Sequence, residues 1–449
     1  MFLSRDDWPR TCATWKLSFP FRGCIRPTLC LDLTQSPSPP HSPCTLPSFQ
    51  IDVSRSDQPD ITRSMFYWYT TSQRATAAQD PLLLWTNGGP GCSGISGFMT
   101  EQGPFRPTAT GNLTLNPHAW NKIANTVFIE QPVGVGFSRV DGANKGEILY
   151  GDEPSAQDNY AFVRGFLARF PELKTNDFYI TSESYGGHYM PTLARELVTR
   201  GGVPSFKGVA VGNPLTYMPY RNYGQYGTAY GHQLLPKPLW DKYTAAECRT
   251  TFPASDACND ITDQMDIILA GFDAYALDFP TCLDSGKASG RMERYAMIKM
   301  MKGANAGRNV GGYFPDDYEA CSSDWASTYL NRADVQAAIH ANVSAGYKWS
   351  QCSNAVGSKF NATDVVQPMM PVWKEVIAKA PALKIMIYSG DDDSVCATLG
   401  TQQFIWDMDW TLKRNTASWK AWKTAEGQVR RRQYVYRNER VFELLDALE

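Results

Sequence analysis

The 449-residue chain is predicted to fold as an α/β protein, with a mostly parallel central sheet and a helical insertion above it. Short apolar runs bounded by Gly, Asn, Pro or Ser alternate with helical stretches, which indicates strands joined by helices. The runs are apolar throughout, as is typical of parallel strands buried on both faces. These predicted strands are 82–85, 126–130, 178–181, 209–211 and 383–388.

One helical stretch has a clear apolar face. Within 157–170, Val163, Phe166, Leu167 and Phe170 recur at i, i+3, i+4 and i+7. This spacing places the four side chains on one side of a helix and predicts that the side packs against the sheet.

The domain organisation is predicted from the point where the alternation of strands and helices stops. Segments 49–215 and 325–449 are predicted to form the core. The intervening 216–324 is rich in Tyr, contains no clear buried-strand run, and is predicted to be a helical cap inserted into that core. Residues 1–48 are rich in Cys and Pro and are expected to be disordered or a misassigned start.

Composition excludes two classes of function. A net charge of −2 offers no basic excess for a nucleic-acid surface. The chain contains no apolar run of 18 residues, so no transmembrane helix is predicted. With 43% apolar and 12% aromatic residues, the chain can form a large core.

The eleven cysteines indicate disulfides and an oxidising compartment, because they are spread out without a CxxC pair and do not resemble a zinc site. Three glycosylation sequons agree with export, at Asn112, Asn342 and Asn361. The opening residues carry charges where a signal peptide has its apolar segment.

The strongest local motif is 179–188, where a predicted strand runs into Ser182-Glu183-Ser184-Tyr185-Gly186. This is a variant of the G-x-S-x-G elbow, which exposes a nucleophilic serine on a strained turn between strand and helix. Ser184 is therefore the candidate nucleophile. The alternative is a glycine-rich turn whose serine has no chemical role.

A second motif, 85–93, follows the first predicted strand and reads WTNGGPGCS. Its glycines allow backbone N–H groups to approach a substrate and to supply an oxyanion donor. A phosphate-binding loop is the alternative, but the Lys-Ser/Thr pair of a P-loop is missing.

The third motif, 387–396, ends a strand in a glycine followed by three acids. In hydrolases with a catalytic serine, an acid after a late strand orients the histidine. A solvated acidic turn or a calcium site are the alternatives.

Taken together, these motifs resemble the serine carboxypeptidase family, whose members include cathepsin A-like and carboxypeptidase Y-like enzymes. WTNGGPGCSG, FIEQPVGVGFS, SESYGGHYMP, VGNP and YSGDDDSVC occur in the family's order, and the resemblance covers roughly 50–428. It implies an α/β-hydrolase fold and release of C-terminal residues from peptides.

The resemblance implies a role for each matching residue. Ser184 would be the nucleophile and Asp393 the triad acid, with the Gly89 and Tyr185 amides as the oxyanion hole. The substrate's C-terminal carboxylate would be held by Asn87, Gly88, Glu101 and Glu183. Since two packed carboxylates cannot easily both ionise, one would stay protonated and donate a hydrogen bond, which predicts activity at acidic pH.

The resemblance also implies three disulfides and a free thiol. The pairs would be Cys92–Cys352, Cys248–Cys258 and Cys282–Cys321, leaving Cys396 free near the active site and sensitive to mercurials. It implies no metal or organic cofactor, a peptide as the substrate, and a possible homodimer. It places the protein in the secretory pathway, in a lysosome or vacuole, or outside the cell.

The general base is the departure from the family pattern. None of the five histidines (His41, His118, His188, His232 and His340) follows Asp393, although the hydrolase order is Ser, Asp, His. His188 lies in the elbow helix and is predicted to be a core residue. The chain as written is therefore expected to be nearly inactive, either as an incomplete gene model of a carboxypeptidase or as a peptide-binding homologue. Acyl transfer to an alcohol is the further alternative.

Overall fold

The computed structural model describes residues 49–250, 254–279, 281–282, 320–344 and 346–409, together with the backbone of two later strands. The expectation for residues 1–48 lies outside the described residues, as does much of the predicted cap, including 283–319.

An eight-stranded mixed sheet organises the described chain. Its strands follow the order β1-β2-β6-β3-β8-β9-β10, and β7 pairs with β2. All strands of the described chain are β1 Gln50–Asp52, β2 Thr62–Thr70, β3 Leu82–Thr86, β4 Phe105–Pro107, β5 Leu113–Leu115, β6 Asn125–Ile129, β7 Arg139–Asp141, β8 Phe178–Ser184, β9 Phe206–Pro214, β10 Lys384–Tyr388, β11 Lys420–Lys423 and β12 Val429–Gln433.

The five predicted buried strands are β3, β6, β8, β9 and β10, and each forms. They run parallel from β6 through β3, β8 and β9 to β10. The antiparallel strands β1, β2 and β7 at one edge were not predicted from the sequence. Because neighbouring parallel strands end at the same edge, the loops after β3, β8 and β10 meet there.

Helices cover both faces of the sheet. The described helices are α1 Gly94–Thr100, α2 Asp152–Arg169, α3 Gly186–Arg200, α4 Met218–Gly231, α5 Lys237–Ala245, α6 Asp256–Leu269, α7 Ser322–Leu330, α8 Ala333–Ala338, α9 Asn354–Gly357, α10 Ala362–Val365, α11 Met370–Lys379 and α12 Thr398–Asp407.

Strand residues alternate between two cores. Val127 and Ile129 of β6 belong to the core that includes residues of α2, α3 and α11, while Phe128 points into the core with α1 and α7. The apolar face predicted within 157–170 is buried in the first of these cores, so the predicted α2 is confirmed as a helix against the sheet.

The segment predicted to be the cap contains helices α4, α5 and α6, and its described residues between 270 and 279 form turns and short bridges. Helices α4, α5 and α6 form a small core of their own around Tyr226, Leu239 and Met265. The boundaries assigned to the cap from the sequence stay a prediction. No helix among the described residues is both long and apolar enough to cross a membrane.

Candidate active site

Ser184 occupies a strained corner between β8 and α3. Its backbone has φ +54°, in the left-handed region that non-glycine residues adopt at a cost of about 1–3 kcal/mol. Ser182 leads into the turn and donates its hydroxyl to the Thr86 carbonyl at 2.6 Å. A Cβ at position 186 would lie 2.1 Å from the Ser182 Oγ, so the turn requires glycine there. This is the elbow geometry expected from the motif.

The 87–89 loop packs directly against this corner. A Cβ on Gly88 would lie 2.5 Å from the Tyr185 amide nitrogen and 2.9 Å from the Ser184 Cβ. Gly89 has φ +123°, which a side chain rarely permits. The backbone of the loop therefore approaches the elbow more closely than any side-chain-bearing residue would allow.

Asn87 is oriented by donors on its oxygen side. Its Oδ1 accepts from the Trp85 indole at 2.9 Å and from the Gly97 amide at 3.0 Å. The amide nitrogen must therefore face the other way, where it donates to Glu101 at 3.0 Å and to Glu183 at 2.7 Å. The sequence motif did not reveal the role of Trp85 in fixing this amide.

The two glutamates share this single amide nitrogen beside the nucleophile. Burial raises the pKa of Glu101 to about 7, although its hydrogen bonds lower it. Burial and the nearby Glu101 charge raise the pKa of Glu183 well above its usual range. These raised pKa values favour protonation of one of the two carboxyls at neutral pH and below.

Asp393 follows β10 in a turn that wraps around its carboxylate. The Val395 and Cys396 amides donate to its two oxygens at 2.7 and 3.1 Å. Burial raises the pKa of Asp393 to about 7, against the effect of these amides. Asn213, at the end of β9, donates to the Cys396 carbonyl at 3.2 Å and ties this turn to the neighbouring strand.

Asn213 and Arg221 are site residues that sequence reasoning missed. Asn213 has φ +38° and lies in VGNP, which was matched only as a block. Arg221 donates to the Val395 carbonyl at 3.1 Å from α4. Nothing in the local sequence could identify Arg221, because its contact depends on how the insertion packs.

His188 is a buried core residue, as predicted. The side chain is fully buried, and its Nδ1 is 2.9 Å from Asp152. Its ring stacks on Tyr185, whose hydroxyl also donates to Asp152 at 3.0 Å. Within the described residues, no histidine is hydrogen-bonded to Ser184 or Asp393.

The disulfide pattern is the expected one. The structure joins Cys92–Cys352, Cys248–Cys258 and Cys282–Cys321, and Cys396 is a buried free thiol. The first of these anchors the chain directly after the 87–89 loop. All three sequon asparagines, Asn112, Asn342 and Asn361, are exposed, and their glycosylation stays a prediction.

One cluster of described side chains combines a histidine with two acids. The His232 ring nitrogen and the carboxylates of Asp278 and Asp392 lie within 4.8 Å of one another. The chemistry proposed below does not use this group.

A helix-flanked sheet with a serine at the elbow, a glycine loop beside it and an acid after a late strand defines an α/β hydrolase. A model of the serine carboxypeptidase family matches residues 55–445. This chain belongs to that family.

Individual serine carboxypeptidases are similar to this chain in sequence, and one solved structure is similar in fold. Serine carboxypeptidase-like 22 of Arabidopsis thaliana is 35% identical over 375 residues, 82% of this chain and 79% of that protein. Serine carboxypeptidase 24 of the same plant is 37% identical over 372 residues, 81% of this chain and 77% of that protein. The crystal structure of Kex1, a prohormone-processing carboxypeptidase from Saccharomyces cerevisiae, superposes with a TM-score of 0.62 at 20% identity, covering 80% of this chain and 76% of that one, which supports the fold.

Proposed function

We propose that the chain binds the C-terminal end of a peptide and that its site is built to hydrolyse the last peptide bond through an acyl-enzyme on Ser184. One observation supports this most strongly. The Asn87 amide and the Glu101 and Glu183 carboxyls form a hydrogen-bonded set beside the Ser184 elbow. A protonated carboxyl and an amide are the donors that a free carboxylate needs.

In this proposal the substrate carboxylate binds to Asn87, the Gly88 amide and the glutamate pair. The Ser184 hydroxyl then adds to the carbonyl carbon and gives its proton to a base. The resulting oxyanion accepts from the amides of Gly89 and Tyr185. The C–N bond breaks, the terminal amino acid leaves with the proton, and water hydrolyses the serine ester.

This reaction needs a general base that accepts the proton of the Ser184 hydroxyl. Asp393 would orient a histidine, yet none of the five histidines follows it. Loss of one triad member costs on the order of 10⁴–10⁶ in rate, while binding survives. We therefore expect very slow turnover.

Peptide binding without turnover is the second candidate function. The hydrogen-bonded set of Asn87, Glu101 and Glu183 supports it, because this set would be enough to hold a free carboxylate without any chemistry at Ser184. Acyl transfer to an alcohol would use the same serine ester, but it gives no reason to keep the glutamate pair.

The test combines three measurements on the purified full chain. A blocked dipeptide reports hydrolysis, a fluorophosphonate probe reports the reactivity of Ser184, and titration with a peptide and its C-terminal amide reports carboxylate recognition. Ser184→Ala is the matched control, since it removes only the nucleophile. Equal affinity for the free acid and the amide would contradict both peptide functions.

We also propose passage through the secretory pathway to a lysosome, a vacuole or the outside of the cell. The three disulfides and the exposed sequons support it, because such bonds persist in oxidising compartments. Detecting asparagine-linked glycans on the protein from its native cell tests it, and a fully reduced, unglycosylated protein would contradict it.

A further inference from the structure

Arg221 is a buried cation in the insertion, close to the acid turn. Its side chain lies on α4, and the residue is 8% exposed. Its Nε donates to the Val395 carbonyl at 3.1 Å, and its Nη1 donates to Asn222 at 3.2 Å. A buried guanidinium is costly unless it is compensated, so its surroundings indicate what it serves.

The carbonyl that Arg221 contacts belongs to a peptide group with a second partner. That group joins Val395 to Cys396, and its N–H donates to the Asp393 carboxylate at 3.1 Å. The cation therefore binds the oxygen end of a peptide dipole whose N–H end binds the anion. Hydrogen bonds arranged in such a chain polarise and strengthen one another.

Helix α4 packs closely against α12, the helix that follows this turn. A Cβ on Gly224 would lie 2.9 Å from the Gly400 nitrogen, and a Cβ on Gly400 would lie 2.3 Å from the Tyr220 carbonyl oxygen. The backbones of α4 and α12 thus meet at a pair of glycines, directly after the acid turn. This contact fixes the position from which Arg221 extends.

Arg221 is the positively charged group that acts on the Asp393 carboxylate. Glu183 and the Cys396 thiol face the carboxylate, along with the Val395 and Cys396 amides. Burial and Glu183 raise the pKa of Asp393, whereas the two amides and Arg221 lower it. No ion pair joins Arg221 to Asp393 within 4.0 Å in the described chain, so the cation acts across the intervening peptide.

We propose that Arg221 is a positioning residue for Asp393, which fixes the turn through the Val395 carbonyl and balances the carboxylate's charge. This inference rests on the proposed function in one respect, since it assigns Asp393 to the triad. The hydrogen bond from Arg221 to the Val395 carbonyl does not depend on whether the protein hydrolyses peptides.

The first test does not depend on activity. Unfolding midpoints are measured at pH 5 and pH 8 for the wild type, Arg221→Met, Asp393→Asn and the double variant. Asp393 is ionised mainly above its pKa of about 7, so Arg221→Met should destabilise more at pH 8 than at pH 5. In the Asp393→Asn background that pH difference should vanish. Arg200→Met, which removes an exposed arginine paired with Glu196, should show no coupling to Asp393→Asn.

The second test follows the ionisation of Asp393 directly, by NMR titration of the 13C-labelled aspartate carboxyls, with Asp393→Asn identifying the signal. Arg221→Met should raise the pH at which Asp393 titrates by roughly one unit, as expected for loss of a nearby opposite charge. Arg221→Lys keeps the charge and should leave most of the wild-type titration unchanged, and it replaces the methionine variant in both tests if that variant does not fold.

The outcomes separate the two proposals. Coupling at pH 8 that disappears at pH 5 supports the role of Arg221, even if the wild type hydrolyses no peptide. Equal effects of Arg221→Met at both pH values, or the same pH difference in the Asp393→Asn background, would overturn it. A failure of peptide binding alone would contradict the proposed function and leave the unfolding result intact.

Discussion

The Ser184 hydroxyl lies 4.0 Å from the thiol of Cys396. This thiol is buried, and burial together with the negative charge of Asp393 raises its pKa to about 12. It is therefore a neutral thiol at physiological pH and a poor nucleophile toward alkylating reagents. Any large group attached to its sulfur would occupy the space in front of the serine.

A mercurial should block the site through this thiol. We expect p-chloromercuribenzoate to reduce fluorophosphonate labelling of Ser184 and binding of a free-acid peptide by at least about tenfold, whereas iodoacetamide should act slowly because it needs a thiolate. Mass spectrometry of the treated protein locates the adduct.

Cys396→Ala is the control for that experiment, because the chain carries four further cysteines in residues 1–48. The variant should bind peptide as the wild type does and should resist the mercurial. Equal inhibition of the variant would place the sensitive thiol elsewhere.

Peptide affinity should fall as pH rises through about 7. Below its raised pKa of about 7, Glu101 is neutral beside the bound carboxylate, whereas above that pH its negative charge repels the carboxylate. We expect the Kd of a free-acid peptide to rise up to about tenfold per pH unit between pH 7 and 9. Binding titrations across this range measure it.

Glu101→Gln isolates the cause of this dependence. Glutamine cannot ionise, so the variant should lose most of the rise in Kd while binding the peptide amide with little change. An unaltered pH dependence in this variant would exclude the glutamate pair as its source.

The sequence predicted the parallel part of the sheet better than its edge. Strands β3, β6, β8 and β9 contain runs of consecutive buried residues, and β10 is partly buried, so their apolar runs were visible in the sequence. β2 mixes buried and partly buried residues without a regular alternation, and its partners β1 and β7 have only three residues each, so the three strands give almost no sequence pattern. Such strands depend on pairing that a local reading cannot detect.

The site shows the same division. Ser184, Asn87 and Asp393 could be predicted because each stands in a contiguous motif at a strand end. Arg221 contacts the Val395 carbonyl from a distant segment of the chain, and the Trp85 indole fixes the orientation of the Asn87 amide. Neither contact can be recognised from the local sequence. The sequence could therefore predict which loops meet, but not what holds their side chains in place.

Asn87→Asp should abolish recognition of the substrate carboxylate. The replacement keeps the shape but puts a third carboxyl where the amide donates to Glu101 and Glu183. We expect a loss of at least about tenfold in affinity for the free-acid peptide, since a hydrogen bond to a charged group contributes about 1.5–3 kcal/mol. Comparing the free acid with the amide by titration measures it. A loss of equal size for the amide would indicate general damage instead.

Gly88→Ala should separate the glycine loop from the elbow. The added methyl would lie 2.5 Å from the Tyr185 nitrogen and 2.8 Å from the Glu183 carbonyl oxygen, both of which are backbone atoms that cannot rotate away. We expect destabilisation of about 1–3 kcal/mol and, in the folded protein, at least tenfold weaker labelling of Ser184, because the loop carrying the Gly89 amide must retreat. Denaturant unfolding and probe kinetics measure the two effects.

Gly231→Ala, at an exposed helix end where an added Cβ meets no atom within 4 Å, is the matched control and should change neither. Wild-type labelling in Gly88→Ala would show that the Ser184 site does not need the close approach of this loop.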